Sequence, residues 1–464
     1  MTLPTLPALL VSDADNAIPI ECLTPQQWGA RKARLSAAHA ARAQRQLFEA
    51  KTGQVLLLET SSGIVRVIAG AQDSDGVALG ASIASQLPQG TYRFVKGVGT
   101  RQLYNAALGW LLAHYRFDRY LSAPKPLIER KLVVSDASVA ECAQGDAAAT
   151  WLVRDLVNTP AQDMKPSDIE AAARDLAGAF GADVSSIVGD DLLDQNFPTI
   201  HAVGRAAADA PRLIDLHWGK ASDPKITLVG KGVSFDSGGL NIKTGNGMSL
   251  MKKDMGGAAH VLGLAHRIMQ AQLPVRLRVL VPAVENAIAG DAFRPGDIIR
   301  SRKGISIEIG NTDAEGRLIL CDALALADEE KPDYLIDFAT LTGAARVALG
   351  PDLAPMYSTD DAFADQTLKA AHTLNDPIWR MPLYQPYMPM LASHVADTSN
   401  ISDGGFAGSI TAALFLQKFV TKSPSWTHLD VYAWSPKNRP GHPIGGNAFA
   451  IRAIFNVLAQ QYTP

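Results

Sequence analysis

Cysteine is scarce in this sequence of 464 residues: Cys22, Cys142 and Cys321 stand far apart, and no C-x-x-C pair occurs. That spacing argues against a disulfide framework and a cysteine zinc site. It fits a reducing compartment, so a cytoplasmic location is expected. Long apolar runs are missing as well. No window reaches the roughly 18 consecutive apolar residues of a membrane helix. The opening MTLPTLPALLVSDADN has no basic stretch ahead of its apolar residues, so no secretory signal and no membrane partner are expected. Neither sign of charge dominates: 43 Lys and Arg against 46 Asp and Glu leave a formal net charge of −3. With no basic run interleaved with aromatics, nucleic acid is not an expected partner. Internal repeats and low-complexity tracts are absent. So are H-E-x-x-H and G-x-S-x-G, which leaves a single-zinc histidine site and a serine triad as poor fits.

What is present is apolar and ordered. Hydrophobic residues make up 47% and charged residues 19%, enough for a large core. At about 100–200 residues per domain, two or three domains are expected. The first part mixes strand-like runs (QVLLLET, GIVRVIAGA, KLVVSD) with helix-like ones (PQQWGARKARLSAAHAARAQRQLFEA, RQLYNAALGWLLAHYRF). It reads as a small α/β domain over residues 1–145. Residues 146–464 read as a larger α/β domain. Short Val-, Ile- and Leu-rich runs (RLIDLHW, KITLVGKG, VRLRVLVPAVE, ISIEIG, YLIDFATL, THLDVYAW) alternate there with helical stretches (GGAAHVLGLAHRIMQAQ, RLILCDALALADEEK, SITAALFLQKFV, FAIRAIFNVLAQ). Such alternation predicts a mostly parallel or mixed sheet flanked by helices. Ligands of such sheets gather beyond the carboxyl ends of the strands.

Three segments follow strand ends. KGVSFDSGGLNIK (231–243) carries Lys231, Asp236 and Lys243 around a pair of glycines. MSLMKKDMGGAAHVLG (248–263) places Asp254 just ahead of a helix that starts in small residues. NTDAEGRL (311–318) follows the apolar run of Ile305, Ile307 and Ile309. Read as extended chain, it would point Asn311, Asp313, Glu315 and Arg317 one way. Taken singly, each acid reads as a turn residue or helix cap, and each lysine as a solvated surface group. Taken together, four carboxylates and an amine at the ends of buried elements are costly to desolvate. Divalent cations are the usual remedy, and the set suits two metals about 3.5–4 Å apart. His260, inside the helix after Asp254, reads as a packing or surface residue.

These same residues resemble the leucyl aminopeptidase (cytosol aminopeptidase) family. NTDAEGRL is similar to that family's signature octapeptide, and the two earlier segments match its other metal-site stretches in order and spacing. The likeness runs from DLVNTPAQDMKP (155–166) through DFATLTGAARVALG (337–350) to GGFAGSITAALFLQKF and WTHLDV. The first 145 residues resemble the family's N-terminal domain only in size class and α/β character.

The resemblance implies a metal-dependent exopeptidase that removes N-terminal residues from peptides, using a hydroxide held between two divalent metals. Lys231, Asp236, Asp254, Asp313 and Glu315 would be ligands, and Lys243 and Arg317 the catalytic pair, with a bicarbonate at Arg317. Met251, Asn311, Thr340, Leu341 and Gly343 would contact substrate. Carboxylate-rich, thiolate-free ligation suits Zn²⁺, Mn²⁺, Co²⁺ or Mg²⁺ without choosing among them, and Zn²⁺ or Mn²⁺ is the expectation. Met251 suggests an adaptable apolar pocket, so leucine or methionine termini are expected. A homohexamer is implied. LDVYAWSPKNRPGHPIGGNAFAIR departs from many relatives, and its Tyr432 and Trp434 either reshape the pocket wall or, as expected here, pack. Two other readings exist: an aminopeptidase-fold DNA-binding regulator, and a two-metal phosphoesterase.

Overall fold

The structure is a computed structural model that describes residues 3–72 and 76–463. The chain divides into two compact units. One is built from Thr5–Trp151 with Lys437–Ile444, the other chiefly from Leu152–Pro436 and Gly445–Pro464. The expected boundary at residue 145 lies inside the helix Ala137–Asn158.

The first unit holds six strands: β1 (Leu10–Val11), β2 (Ile18–Leu23), β3 (Val55–Thr60), β4 (Gly63–Gly70), β5 (Gly90–Lys96) and β6 (Arg130–Val133), in the order β1-β6-β5-β2-β4-β3. All neighbours are parallel except the hairpin β3–β4. Helices Gly76–Gln86 and Thr100–Leu112 supply the crossovers that parallel strands require. Leu108, Trp110 and Tyr92 are fully buried at its core. The stretch PQQWGARKARLSAAHAARAQRQLFEA, expected as one helix, forms two: Pro25–Lys32 and Ala37–Arg45. Ser36 causes the break. Its hydroxyl accepts from His39 N and caps a second helix start, as Thr24 caps the first.

The second unit holds β7 (Asp183–Val188), β8 (Arg212–Trp218), β9 (Lys225–Gly230), β10 (Gly232–Asp236), β11 (Arg276–Asn286), β12 (Ile298–Arg300), β13 (Ser306–Glu308), β14 (Tyr334–Ala339), β15 (Ala354–Ser358), β16 (Ile378–Arg380), β17 (Thr398–Ser399) and β18 (Trp426–Asp430). The main sheet runs β16-β15-β18-β14-β9-β11-β8-β7, with β10 also on β11. Its centre, β18-β14-β9-β11, is parallel. Antiparallel β15 and β8 border that centre, so the sheet is mixed. Every residue of β18, and all but the first of β9 and β14, is buried, which explains why none of them alternates apolar with exposed polar residues. Helices Gly256–Gln270 and Glu315–Glu329 are buried along nearly their whole length.

One expected strand sits elsewhere. ISIEIG does not join the main sheet. Its β13 lies between β12 and β17 in a separate three-stranded sheet. Ile307 and Ile309 are fully buried, which satisfies the apolar pattern without main-sheet pairing.

Candidate metal centre

β9 ends at Gly230, and the next residue turns inward. Lys231 N donates to Phe338 O (3.0 Å) and Lys231 O accepts from Ala258 N (2.8 Å), so its backbone is fixed between β14 and the helix Gly256–Gln270. This close approach needs small neighbours. A Cβ on Gly257 would lie 2.2 Å from Phe338 O, and one on Gly316 would lie 2.5 Å from Lys231 Cε. The glycines of MGG and EGR therefore make room for one lysine. Its ammonium lies 2.7 Å from Asp254 Oδ2 and 2.8 Å from Glu315 Oε1, and donates to Thr340 O at 2.9 Å.

Each carboxylate is held by its own segment. Asp236 closes β10, and its Oδ1 accepts from Gly238 N (2.9 Å) and Asn286 Nδ2 (2.8 Å). Its Oδ2 is 2.7 Å from Lys243 Nζ. Asp254 sits in the tight turn Met251–Met255, where Oδ1 accepts from Thr340 Oγ1 (2.8 Å). Asp313, partly exposed, pairs with Lys243. Glu315 opens the helix Glu315–Glu329. One oxygen each from Asp236, Asp313 and Glu315 lie within 4.8 Å of one another.

NTDAEGRL itself is not extended. Residues 312–313 form a turn, and the helix begins at Glu315. Alternation therefore fails at Arg317, two residues into a helix. Its Nη1 donates to Asn400 O (2.7 Å), and its Nε is buried without a hydrogen-bond partner. The other eleven residues singled out from sequence (Lys231, Asp236, Lys243, Met251, Asp254, Asn311, Asp313, Glu315, Thr340, Leu341 and Gly343) line one cavity of about 440 Å³, and Arg317 does not.

Charge at this centre is unbalanced. Burial, reinforced by Asp236 and Asp254, pushes Glu315 up to about 8 against the pull of Lys231. Burial and Asp254 push Asp236 up to about 6. Burial alone would lower Lys231, but Asp254, Glu315 and Asp236 outweigh it and raise it above the ordinary lysine value. Glu315 Oε2 is buried with no hydrogen-bond partner at all. A buried carboxylate oxygen with no partner, beside a second acid whose pKa is also raised, carries a desolvation cost that a bound cation would offset. Hard oxygen donors with one amine and no thiolate fit divalent ions.

His260 stays out of this chemistry. It is fully buried, its Nδ1 is 2.6 Å from Gly256 O, and its Nε2 accepts from Phe449 N (3.0 Å). Burial lowers its pKa to about 4, so it packs as a neutral ring. Trp434 is buried as expected. Tyr432 is only half-buried and lines the cavity. Sequence reasoning passed over Asn286 and Asn400. Asn286 ties Asp236 to Thr312 O, and Asn400 accepts from Gly310 N and donates to Asn311 O. It also passed over Lys253, Arg346 and Asp430 on the cavity wall.

Residues 151–455 match the model of the cytosol aminopeptidase family, catalytic domain, and residues 18–134 match that of the M17 aminopeptidase N-terminal domain. This chain belongs to the cytosol aminopeptidase family. It is a hydrolase of the aminopeptidase type. A probable cytosol aminopeptidase from Syntrophotalea carbinolica is 38% identical over 450 residues, covering 89% of this chain and 90% of that protein. The solved cytosol aminopeptidase from Coxiella burnetii is 44% identical, with a TM-score of 0.93 over 98% of this chain and 99% of that one. The bottromycin maturation enzyme BotP, solved in complex with Mn, is 33% identical with a TM-score of 0.86, covering 96% and 100%. Family, fold class and enzyme class thus agree with the sequence reading. Relatives described as enzymes do not favour the DNA-binding alternative. Among the described residues, no helix is long and apolar enough to cross a membrane.

Proposed function

We propose that this aminopeptidase releases N-terminal residues from peptides with two divalent metals held by Lys231, Asp236, Asp254, Asp313 and Glu315. The observation that carries the reading is the buried, unpartnered Glu315 Oε2 inside a carboxylate cluster. The Mn in the bottromycin-enzyme structure supports Mn²⁺ as one candidate ion, beside Zn²⁺. Such ions, when bound, polarise a peptide carbonyl and acidify a water to hydroxide at neutral pH.

The chain's own residues supply the rest. Lys231 joins the ligands only after losing a proton, which neighbouring divalent charge favours. Lys243 stands on the cavity wall, its amine kept charged because Asp236 and Asp313 outweigh burial. It is placed to stabilise negative charge developing on the scissile carbonyl oxygen. Arg317, anchored through Asn400 O and with its Nε–H unpartnered, would hold a small anion such as bicarbonate, whose chemistry there would be that of a general base. Asn311, Thr340, Leu341 and Gly343 line the same cavity and would position the peptide. Met251 supplies apolar surface for a leucine or methionine side chain. A homohexamer in the cytoplasm belongs to the same reading.

The test is hydrolysis of leucine p-nitroanilide. Release should require added Mn²⁺ or Zn²⁺. It should stop with chelator, with an N-acetylated substrate, and in Glu315→Ala. A folded, metal-loaded protein with no activity on any aminoacyl anilide or dipeptide would overturn the proposal.

A further inference from the structure

Two cations of the cavity are left over once ligands and catalytic residues are assigned. Lys253 lies in the turn Met251–Met255 and is only 5% exposed, while Arg346 stands exposed on the helix Gly343–Leu349. Both line the cavity and both face one ring. Lys253 Nζ is 5.0 Å from the centre of the Tyr432 ring, and Arg346 Cζ is 4.9 Å from it. Among the described residues, neither side chain has an ion-pair or hydrogen-bond partner.

The acids nearby are already engaged. Asp430 accepts from Leu341 N (2.9 Å), Thr342 N (3.2 Å) and Thr342 Oγ1 (2.6 Å). Asp254 is held by Lys231 and Thr340. The tyrosine face attracts both cations, but it neutralises neither. An unpaired amine on a largely buried side chain is costly to hold. Asp254 and Asp430 attract Lys253 without forming an ion pair with it, so its donors stay open on the wall of the cavity where a peptide enters.

Resting on the aminopeptidase reading above, we propose that Lys253, Arg346 and Tyr432 form a carboxylate-recognising wall that selects peptides with aspartate or glutamate at or next to the amino end. The guanidinium offers the planar pair of donors that matches a carboxylate, and Lys253 adds a point charge. The Tyr432 ring and Met251 give apolar surface for the methylenes of the acidic side chain. This wall sharpens the apolar expectation drawn from Met251: the cavity takes carbon along its length and charge at its end.

The carboxylate belongs either to the first side chain or to the second, and matched pairs separate the two. Metal-loaded enzyme is assayed on the p-nitroanilides of glutamate and glutamine, and on Leu-Glu-amide and Leu-Gln-amide, with leucine p-nitroanilide as reference. In one pair the acid should exceed the amide in kcat/KM by on the order of tenfold, the size of one charge-assisted hydrogen bond. Arg346→Gln and Lys253→Met should each bring that ratio towards one. A ratio taken within one enzyme does not depend on how much of the variant folds or loads metal. Ratios of one or less in both pairs, with leucine p-nitroanilide cleaved, would overturn the wall and leave the aminopeptidase standing. An acid preference untouched by both substitutions would also overturn it. Hydrolysis of none of these substrates would remove the aminopeptidase reading itself.

Discussion

Both units of this chain are α/β sheets with parallel strands, yet the strand ends differ. In the smaller unit the residues just after β2, β4 and β5 are Thr24, Ala71 and Gly97. In the larger unit Lys231 follows β9, Asp236 closes β10, Thr340 follows β14 and Asp430 closes β18. Both arrangements satisfy the same packing rules, and only one assembles chemistry. Among the described residues, the one carboxylate cluster able to hold a metal lies in the larger unit. Topology says where a ligand would sit, and charge at that place says whether one is asked for. The charge has a structural cost, since buried carboxylates without partners oppose folding. The smaller unit avoids that cost with an apolar core around Leu108, Trp110 and Tyr92.

The contrast can be broken first at Lys243. It touches two of the proposed ligands but is not one of them. Lys243→Ala should lower kcat by about 10²–10³-fold, the loss typical of one preorganised donor. Bound metal, read by elemental analysis, should stay at the wild-type level. A lost metal would make Lys243 a structural partner of the carboxylates instead. The opposite behaviour is expected of Leu108→Ala. Leu108 is fully buried, and truncation should destabilise its unit by about 2–5 kcal/mol. All the cavity residues belong to the larger unit, so kcat of the folded fraction should not change. A fall in kcat without a fall in melting temperature would show that the smaller unit has a hand in catalysis.

How legible this was in the sequence depends on distance along the chain. β9 was visible as a short apolar run, and β14 as one broken only by Asp337, because burial on both faces leaves no alternation. What stayed hidden was set by residues far apart. Asn286 reaches Asp236 across 50 positions and Asn400 reaches Asn311 across 89, and no local pattern encodes such pairs. Arg317 was misdirected because NTDAEGRL was read with the period of a strand, while its second half obeys a helix. The split of the long N-terminal helix was encoded locally, in Ser36, but a serine within a helical run is a weak signal until its cap is seen.

The finest test of the contrast is the response of the metal-free protein to pH. In the folded chain Glu315 is pushed up to about 8, against an ordinary value of 4.5. Between those values the folded chain keeps a proton that the unfolded chain has released. Stability is therefore lost as pH rises through the folded value. Buried His260 and His266, lowered to about 4, work the other way, but only below the ordinary histidine value of 6.5. The window from pH 6.5 to 8 leaves those two histidines out, and Lys253, which burial lowers to about 8, opposes the carboxylate only at its upper edge. There the melting temperature of the metal-free chain should fall with pH, and Glu315→Gln should flatten the slope. Buried His428, which burial alone would lower but Asp337 raises above 6.5, adds a fall of its own. That fall would persist in Glu315→Gln, so the difference between the two slopes belongs to Glu315. Bound divalent metal should remove the same difference, because the ionised carboxylate then has its cation. Equal slopes in the wild-type and Glu315→Gln proteins would mean that the Lys231 ammonium already balances Glu315, and that the larger unit carries its buried charge without strain.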